Sequence, residues 1–196
     1  TDDELRKVWA AIEAEDILIG TLFKLRLLTA QRGGEVETMK WADLDLVGGW
    51  WTIPAEHAKN GLSHRVPLSR PAIELLKNLK EREDLKHKPE LRQKYLDSPW
   101  VFPSPSRKGQ HVSNIQKAVQ RIKVASKVEH VAHDYRRTAA SKMASLGVPR
   151  LVISKILNHV EPGVTKVYER HSYDAEKREA LAVWATELEA LIGRES

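Results

Sequence analysis

Apolar residues recur at helical spacing from the start of the chain. Leu5, Val8, Trp9 and Ile12 fall on one face of a 3.6-residue repeat, and Thr1 with Glu4 three positions later forms a capping-box signature ahead of them. A second helix is predicted over 16–29, where the run from Ile17 to Leu28 is interrupted by Gly20, Lys24 and Arg26. That run falls short of the ~20 apolar residues a bilayer requires, so it reads as a buried helix. Gln31-Arg32-Gly33-Gly34 breaks it, and a short helix is expected over 35–40.

The pattern then changes period. Trp50-Trp51-Thr52-Ile53 and His64-Arg65-Val66-Pro67 read as strands flanking a segment with Asn60-Gly61, a strong hairpin signal. Pro67 confines the second strand to an edge or to its own end. Pro71 opens another helix, with Ile73, Leu76 and Leu79 on one face. Charge dominates 81–98 and the periodicity fades, which predicts an exposed, mobile connection. After Trp100-Val101-Phe102 and a Pro/Ser/Gly loop, helices are expected over 113–127, 134–146, 149–158, 164–170 and 175–192. Gly147 and Pro149 mark a stop and a restart. The fold class is mainly α (α+β), a helical domain over 1–196 with a small antiparallel β-sheet near the middle of the chain.

Composition narrows the function classes. The 196 residues fit one domain. There is no cysteine, which removes disulfides and thiolate metal sites. The eight histidines are scattered, with no pair at metal-ligand spacing, so neither metal nor cofactor is expected. No charged-then-apolar leader opens the chain; no membrane partner and a cytoplasmic location are expected. A net charge of +5 permits a polyanionic partner without requiring one.

Four segments carry groups suited to chemistry. Arg32 stands at a glycine turn with Glu35 after it, Lys59 at the mouth of the hairpin, His133 and Arg136 three apart, and Leu157-Asn158-His159 nine residues before Tyr168. Singly, each has an ordinary explanation. Arg32 pairs with Glu35 on the surface, Lys59 is a solvated turn lysine, and His133 with Arg136 is a satisfied polar patch on one helical face. His159 caps a helix, and Tyr168 is a half-buried core residue with a wet hydroxyl.

Taken in order, these segments resemble the tyrosine recombinase (phage integrase) family. Its pattern is an Arg in a T-G-x-R-x-x-E context, a hairpin Lys, H-x-x-R, then L-G-H and a Tyr nine residues beyond that His. The flanks Trp41-Ala42-Asp43-Leu44-Asp45 and Arg65-Val66-Pro67-Leu68 agree as well. The run from Ile53-Pro54-Ala55-Glu56 to Val66-Pro67-Leu68-Ser69 is most similar to prophage and genomic-island integrases. Three positions depart from the pattern. Ala30-Gln31 stands where Gly and an apolar residue are commoner, Asn158 where Gly precedes the His, and Tyr135 where Leu is usual.

The resemblance implies a site-specific recombinase that cleaves and rejoins double-stranded DNA through a 3′-phosphotyrosine link on Tyr168. Arg32 and Arg136 would clamp the phosphate and Lys59 would protonate the departing 5′ oxygen. His133 would take or hold the Tyr168 proton, His159 would donate to the phosphate, and Glu35 would orient the Arg and His groups. Ser113, Asn114 and Lys117, at the start of the 113–127 helix, are candidate DNA readers beside the simpler reading of a solvated basic face. The apolar stripe of the helix within 173–196 (Leu181, Val183, Trp184, Leu188, Leu191) either packs on its own domain or docks on a neighbouring protomer. The resemblance further implies a prokaryotic or phage-encoded, nucleoid-associated protein that works as a tetramer on DNA. The chain itself reads as a monomeric fragment lacking the family's N-terminal DNA-clamping parts. Two alternatives stay open: type IB topoisomerase-like DNA relaxation, and a non-catalytic DNA-binding module.

Overall fold

The computed structural model describes residues 1–159 and 172–193. Helix α1 (Asp2–Glu13) starts on the expected capping box, with the Thr1 side chain accepting from the Glu4 amide. Helix α2 (Ile17–Thr29) is capped by Asp16, whose carboxylate accepts from the amides of Leu18 and Ile19 at 3.0 and 3.2 Å. Its residues are apolar on nearly every side because α1, α4 (Arg70–Glu81), α7 (Asp134–Ser145) and α9 (Asp174–Ile192) all pack against it. Leu22, Phe23, Leu25 and Leu27 have no exposed surface. A helix buried on nearly all sides loses the amphipathic signature, in keeping with the long apolar run from Ile17 to Leu28.

Helix α2 ends at Ala30, which adopts the left-handed conformation at φ 56°. Helix α3 (Gly33–Glu37) follows, shorter and earlier than the 35–40 helix expected. The sheet is three-stranded and antiparallel, in the order β1 (Leu44–Asp45), β2 (Trp50–Ile53), β3 (His64–Pro67). Trp51 faces Val66 across the ladder, and both are buried. On the opposite face the guanidinium groups of Arg65 and Arg178 lie over the Trp50 ring at 4.1 and 4.4 Å. The link from β2 to β3 is a wide loop rather than a two-residue turn. Gly61 is its left-handed residue, at φ 68°, whereas the type I′ turn that Asn-Gly favours needs that conformation at both central residues.

The charged stretch 81–98 is ordered into elements, against the expectation of a mobile connection. A 3₁₀ turn (Glu83–Leu85) leads into α5 (Pro89–Leu96). Tyr95 is buried, its hydroxyl donates to the Val101 carbonyl at 2.7 Å, and the Arg82 guanidinium covers its ring at 4.4 Å. One aromatic, Tyr95, and one leucine, Leu85, anchor the segment while much of the remainder faces water. That is too little apolar content to show as periodicity.

Helix α6 (Gln116–Ser126) begins later than expected, because Asn114 turns left-handed at φ 59° ahead of it. Ser113 and Asn114 therefore lie in the preceding loop. Helix α8 (Arg150–Ile156) follows α7 after the Gly147 and Pro149 break. In α9, Leu181, Trp184, Leu188 and Leu191 are buried within the chain, and the Trp184 indole donates to the Leu27 carbonyl at 2.8 Å. Of the two packings left open for this stripe, the described residues show the intramolecular one, with Val183 on the exposed side. The helix expected over 164–170 lies outside the described residues, as does Tyr168. Among the described residues no helix is long and apolar enough to cross a membrane.

Candidate active site

The site forms where several chain turns meet above the buried end of α2. Arg32 is the residue just before α3, and Glu35 closes a reciprocal cap with it. One Glu35 carboxylate oxygen accepts from the Arg32 amide and the other from its guanidinium, both at 3.0 Å. Glu35 is 3% exposed and the Arg32 side chain 22% exposed. The carboxylate is therefore committed to holding the guanidinium, and the Arg32 side chain keeps some exposed surface. The ordinary reading of an exposed surface pair does not describe a carboxylate buried this deeply.

Arg136, on the first turn of α7, ties this turn to the end of α8. Its Nη1 donates to the Ala30 carbonyl at 3.0 Å and its Nη2 to the Leu157 carbonyl at 2.5 Å. Nη2 also lies 3.3 Å from His159 Nε2. A guanidinium has only donors, so His159 Nε2 accepts and the ring proton sits on Nδ1. Burial, with the neighbouring charge of Arg32, pulls the Arg136 pKa down to about 10, against the opposing charge of Glu35. It remains a cation at neutral pH.

His133 is the residue immediately before α7, with right-handed backbone and no side-chain hydrogen bond to the helix end. Its imidazole is exposed while Arg136 is buried. Partial desolvation, reinforced by the charges of Arg137 and Arg136, lowers the His133 pKa. The ring is thus biased toward its neutral, proton-accepting form. Lys59 is exposed in the β2–β3 loop. It is tied to the rest through its neighbour Asn60, whose amide bonds Asn158. The structure thus makes two bonded pairs, Arg32 with Glu35 and Arg136 with His159, and the charges of Arg32 and Glu35 are felt at Arg136. Lys59 is linked through Asn60, and His133 precedes the helix that carries Arg136. Glu35 bonds Arg32; the role expected of it toward the histidines has no hydrogen bond among the described residues.

The candidate DNA readers stand apart from this cluster. Asn114 and Lys117 are exposed, and Ser113 accepts from Arg107. Part of the basic face of α6 is committed within the chain: Arg121 chelates Glu15, and Lys123 pairs with Glu129 at 2.7 Å.

Several supporting residues gave no sequence signal. Gln31 donates to the Ile156 carbonyl at 2.9 Å, and His64 Nε2 bonds the same oxygen at 3.0 Å. Arg26, buried between the Phe23 and Tyr135 rings, donates to the carbonyl of Ala132 next to His133. Its guanidinium also presses on Gly33, where a Cβ would come within 2.7 Å of Nη2. Each of these polar side chains reaches a backbone carbonyl far away in sequence, and no local pattern encodes such a partner.

The three departures from the family pattern now have physical explanations. Ala30 and Asn158 both occupy left-handed backbone, at φ 56° and 49°, which is why glycine suits these positions and why Asn is tolerated better than most residues. Tyr135 is buried, with its hydroxyl 2.9 Å from His130 Nε2 and its ring 5.1 Å from Phe23.

Comparison with known proteins places the chain in a family. The phage integrase family matches residues 1–175. Prophage integrase IntA of Escherichia coli (strain K12) is 27% identical over 188 residues, covering 93% of this chain and 42% of that protein. The crystal structure of XerA recombinase superposes with a TM-score of 0.66 at 18% identity, over 95% of this chain and 64% of that one. A lambda integrase tetramer bound to a Holliday junction gives 0.60 at 21% identity, over 89% of this chain and 48% of that one. The chain thus spans less than two thirds of the length of these relatives. With the family matched across most of its length and the fold shared, the chain belongs to the phage integrase family, and its fold is that of tyrosine recombinase catalytic domains.

Proposed function

We propose that this chain is the catalytic domain of a site-specific DNA recombinase that cleaves through Tyr168. The observation that carries this reading is the position of Arg136. It bonds Ala30, Leu157 and His159 at once and feels the positive charge of Arg32, so two guanidinium groups and an imidazole lie near one another. Glu35 offsets only one of these two positive charges, and a phosphodiester can supply a further anion in bidentate geometry.

The Tyr168 hydroxyl attacks phosphorus, and its proton passes to neutral His133. The developing negative charge on the non-bridging oxygens is met by Arg32 and Arg136, donors already fixed by Glu35 and by backbone carbonyls. The P–O5′ bond breaks and the 5′ oxygen takes a proton from Lys59. The product is a 3′-phosphotyrosine link, which the 5′ hydroxyl can attack in turn. Glu35 holds Arg32, and His159 donates to the phosphate through its Nδ1 proton or after its ring turns. Ser113, Asn114 and Lys117 contact DNA beyond the cleavage point, together with Arg107, which bonds Ser113. Assembly on DNA as a tetramer, and docking of the α9 region on a neighbouring protomer, are part of this proposal for the full-length protein, as is action on cytoplasmic, nucleoid-associated DNA.

The test is a nicked duplex carrying candidate core sites, incubated with the chain and run on a denaturing gel. A covalent protein–DNA adduct that Tyr168→Phe abolishes is the expected result. No adduct on any site, from a folded protein that binds DNA, would support a non-catalytic DNA-binding module.

A further inference from the structure

The β2–β3 loop and the turn before His159 are joined by a reciprocal pair of side-chain amides. Asn60 Nδ2 donates to the Asn158 side-chain oxygen at 3.0 Å and to its backbone carbonyl at 3.2 Å. Asn158 Nδ2 donates back to Asn60 Oδ1 at 3.3 Å. The same Asn60 oxygen accepts from the Leu62 amide at 3.1 Å, which fixes the loop's own turn. Both residues are partly buried, and they are 98 positions apart in the chain.

Their neighbours give the pair its meaning. Asn60 follows Lys59, and Asn158 precedes His159, whose ring contacts Arg136. The loop spans ten residues, 54–63, between the ends of its two strands, and Lys59 is exposed on it. A flexible lysine on a long loop samples many positions, and delivering its ammonium to one atom requires the loop to be held. The left-handed backbone of Asn158, at φ 49°, turns its carbonyl and its side chain toward the same partner. A glycine there would keep the turn and the carbonyl but lose the two bonds made by the side-chain amide.

We infer that Asn60 and Asn158 form a clasp that positions Lys59 against the phosphate clamp, so that both are positioning residues for the protonation of the leaving 5′ oxygen. This rests on the proposed role of Lys59 as the proton donor. The clasp acts only on the step in which the P–O5′ bond breaks and its electron pair is protonated. A substrate whose leaving group needs no proton should bypass it.

The experiment compares two nicked duplexes of the sequence that yields the adduct, one with the natural 5′ oxygen and one with sulfur in its place. A thiolate departs without protonation. Asn60→Ala and Asn158→Gly should each slow single-turnover cleavage of the oxygen duplex about tenfold, the scale of one or two lost hydrogen bonds. Both should cleave the sulfur duplex at the parent rate, and the double variant should be no slower than either single one. Equal losses on both duplexes, or no loss on either, would overturn the inference. Amide hydrogen exchange of the free chain provides a readout independent of activity. Asn158→Gly should raise exchange across 57–63 and leave α2 unchanged; unchanged exchange in the loop would also overturn the clasp. Lys59→Ala separates the two layers of the argument. If sulfur does not restore that variant, the proton-donor role fails, while raised loop exchange in Asn158→Gly would still uphold the clasp as a device that holds the loop.

Discussion

The centre of the molecule and the rim that carries its candidate chemistry are held by different forces. Around α2 and α9 the contacts are apolar and dense, with Leu22, Phe23, Leu25 and Trp184 fully enclosed. Around the site, polar side chains reach carbonyls on other segments: Arg136 to Ala30 and Leu157, Gln31 and His64 to Ile156. Apolar packing is non-directional and roughly proportional to area, so it tolerates small errors of position. A hydrogen bond falls off steeply with distance and angle, so the rim gains exact placement at the cost of depending on each partner.

Trp184→Ala should show the largest effect on the central side. Emptying that enclosed space costs about 3–5 kcal/mol by analogy with other buried aromatics, and the indole bond to Leu27 is lost as well. Urea denaturation measures the loss, and the adduct rate per folded molecule should stay near that of the parent. A folded variant with a collapsed adduct rate would show that centre and rim are not separable.

The rim should respond to acid where the centre does not. Burial, aided by the charge of Lys177, holds His64 down at about 4 against the Ile156 bond and the charge of Glu35, which raise it. The unfolded chain, with an ordinary imidazole near 6.5, therefore binds the proton first as pH falls. The stability tied to neutral His64 is complete above about 6.5 and is lost as pH falls toward about 4, amounting to about 3 kcal/mol. Thermal unfolding between these limits should decline less steeply for His64→Gln, whose amide can still donate to Ile156. Parallel curves for the two proteins would remove His64 as the cause.

The smallest effect is expected at Ala30. Glycine would relieve the left-handed strain at φ 56°, but it removes a buried methyl worth about 0.8 kcal/mol and adds chain entropy of similar size. Ala30→Gly should thus lie within about 1 kcal/mol of the parent in stability. A loss above about 2 kcal/mol would mean that packing dominates at the rim too.

This division also explains what was legible in the sequence. Helices α1 and α4 announced themselves because apolar burial repeats with the helical period, and α2 through the length of its apolar run. The 81–98 stretch did not, since Leu85 and Tyr95 alone supply most of its anchorage. Residues Arg32, Lys59, Arg136 and His159 were legible through their ordered motifs, and the structure adds their geometry. Arg26, Gln31, His64 and the partner of Asn60 were not, because each bonds a backbone or amide group that sequence distance conceals. The start of α6 slipped because Asn114 takes a left-handed conformation that its residue type only weakly signals, and α3 starts earlier because Arg32 and Glu35 close a cap at its beginning.

The burial of Arg136 has a consequence for how binding responds to ionic strength. Its guanidinium exchanged water for carbonyl oxygens when the chain folded, so an arriving phosphate has little hydration to displace from it and few counterions to compete with. Exposed cations such as Lys117 still carry theirs. On the proposed function, added salt should therefore weaken the outer contacts with DNA first, leaving the hold on the central phosphate comparatively insensitive and the search along DNA strongly dependent on the medium.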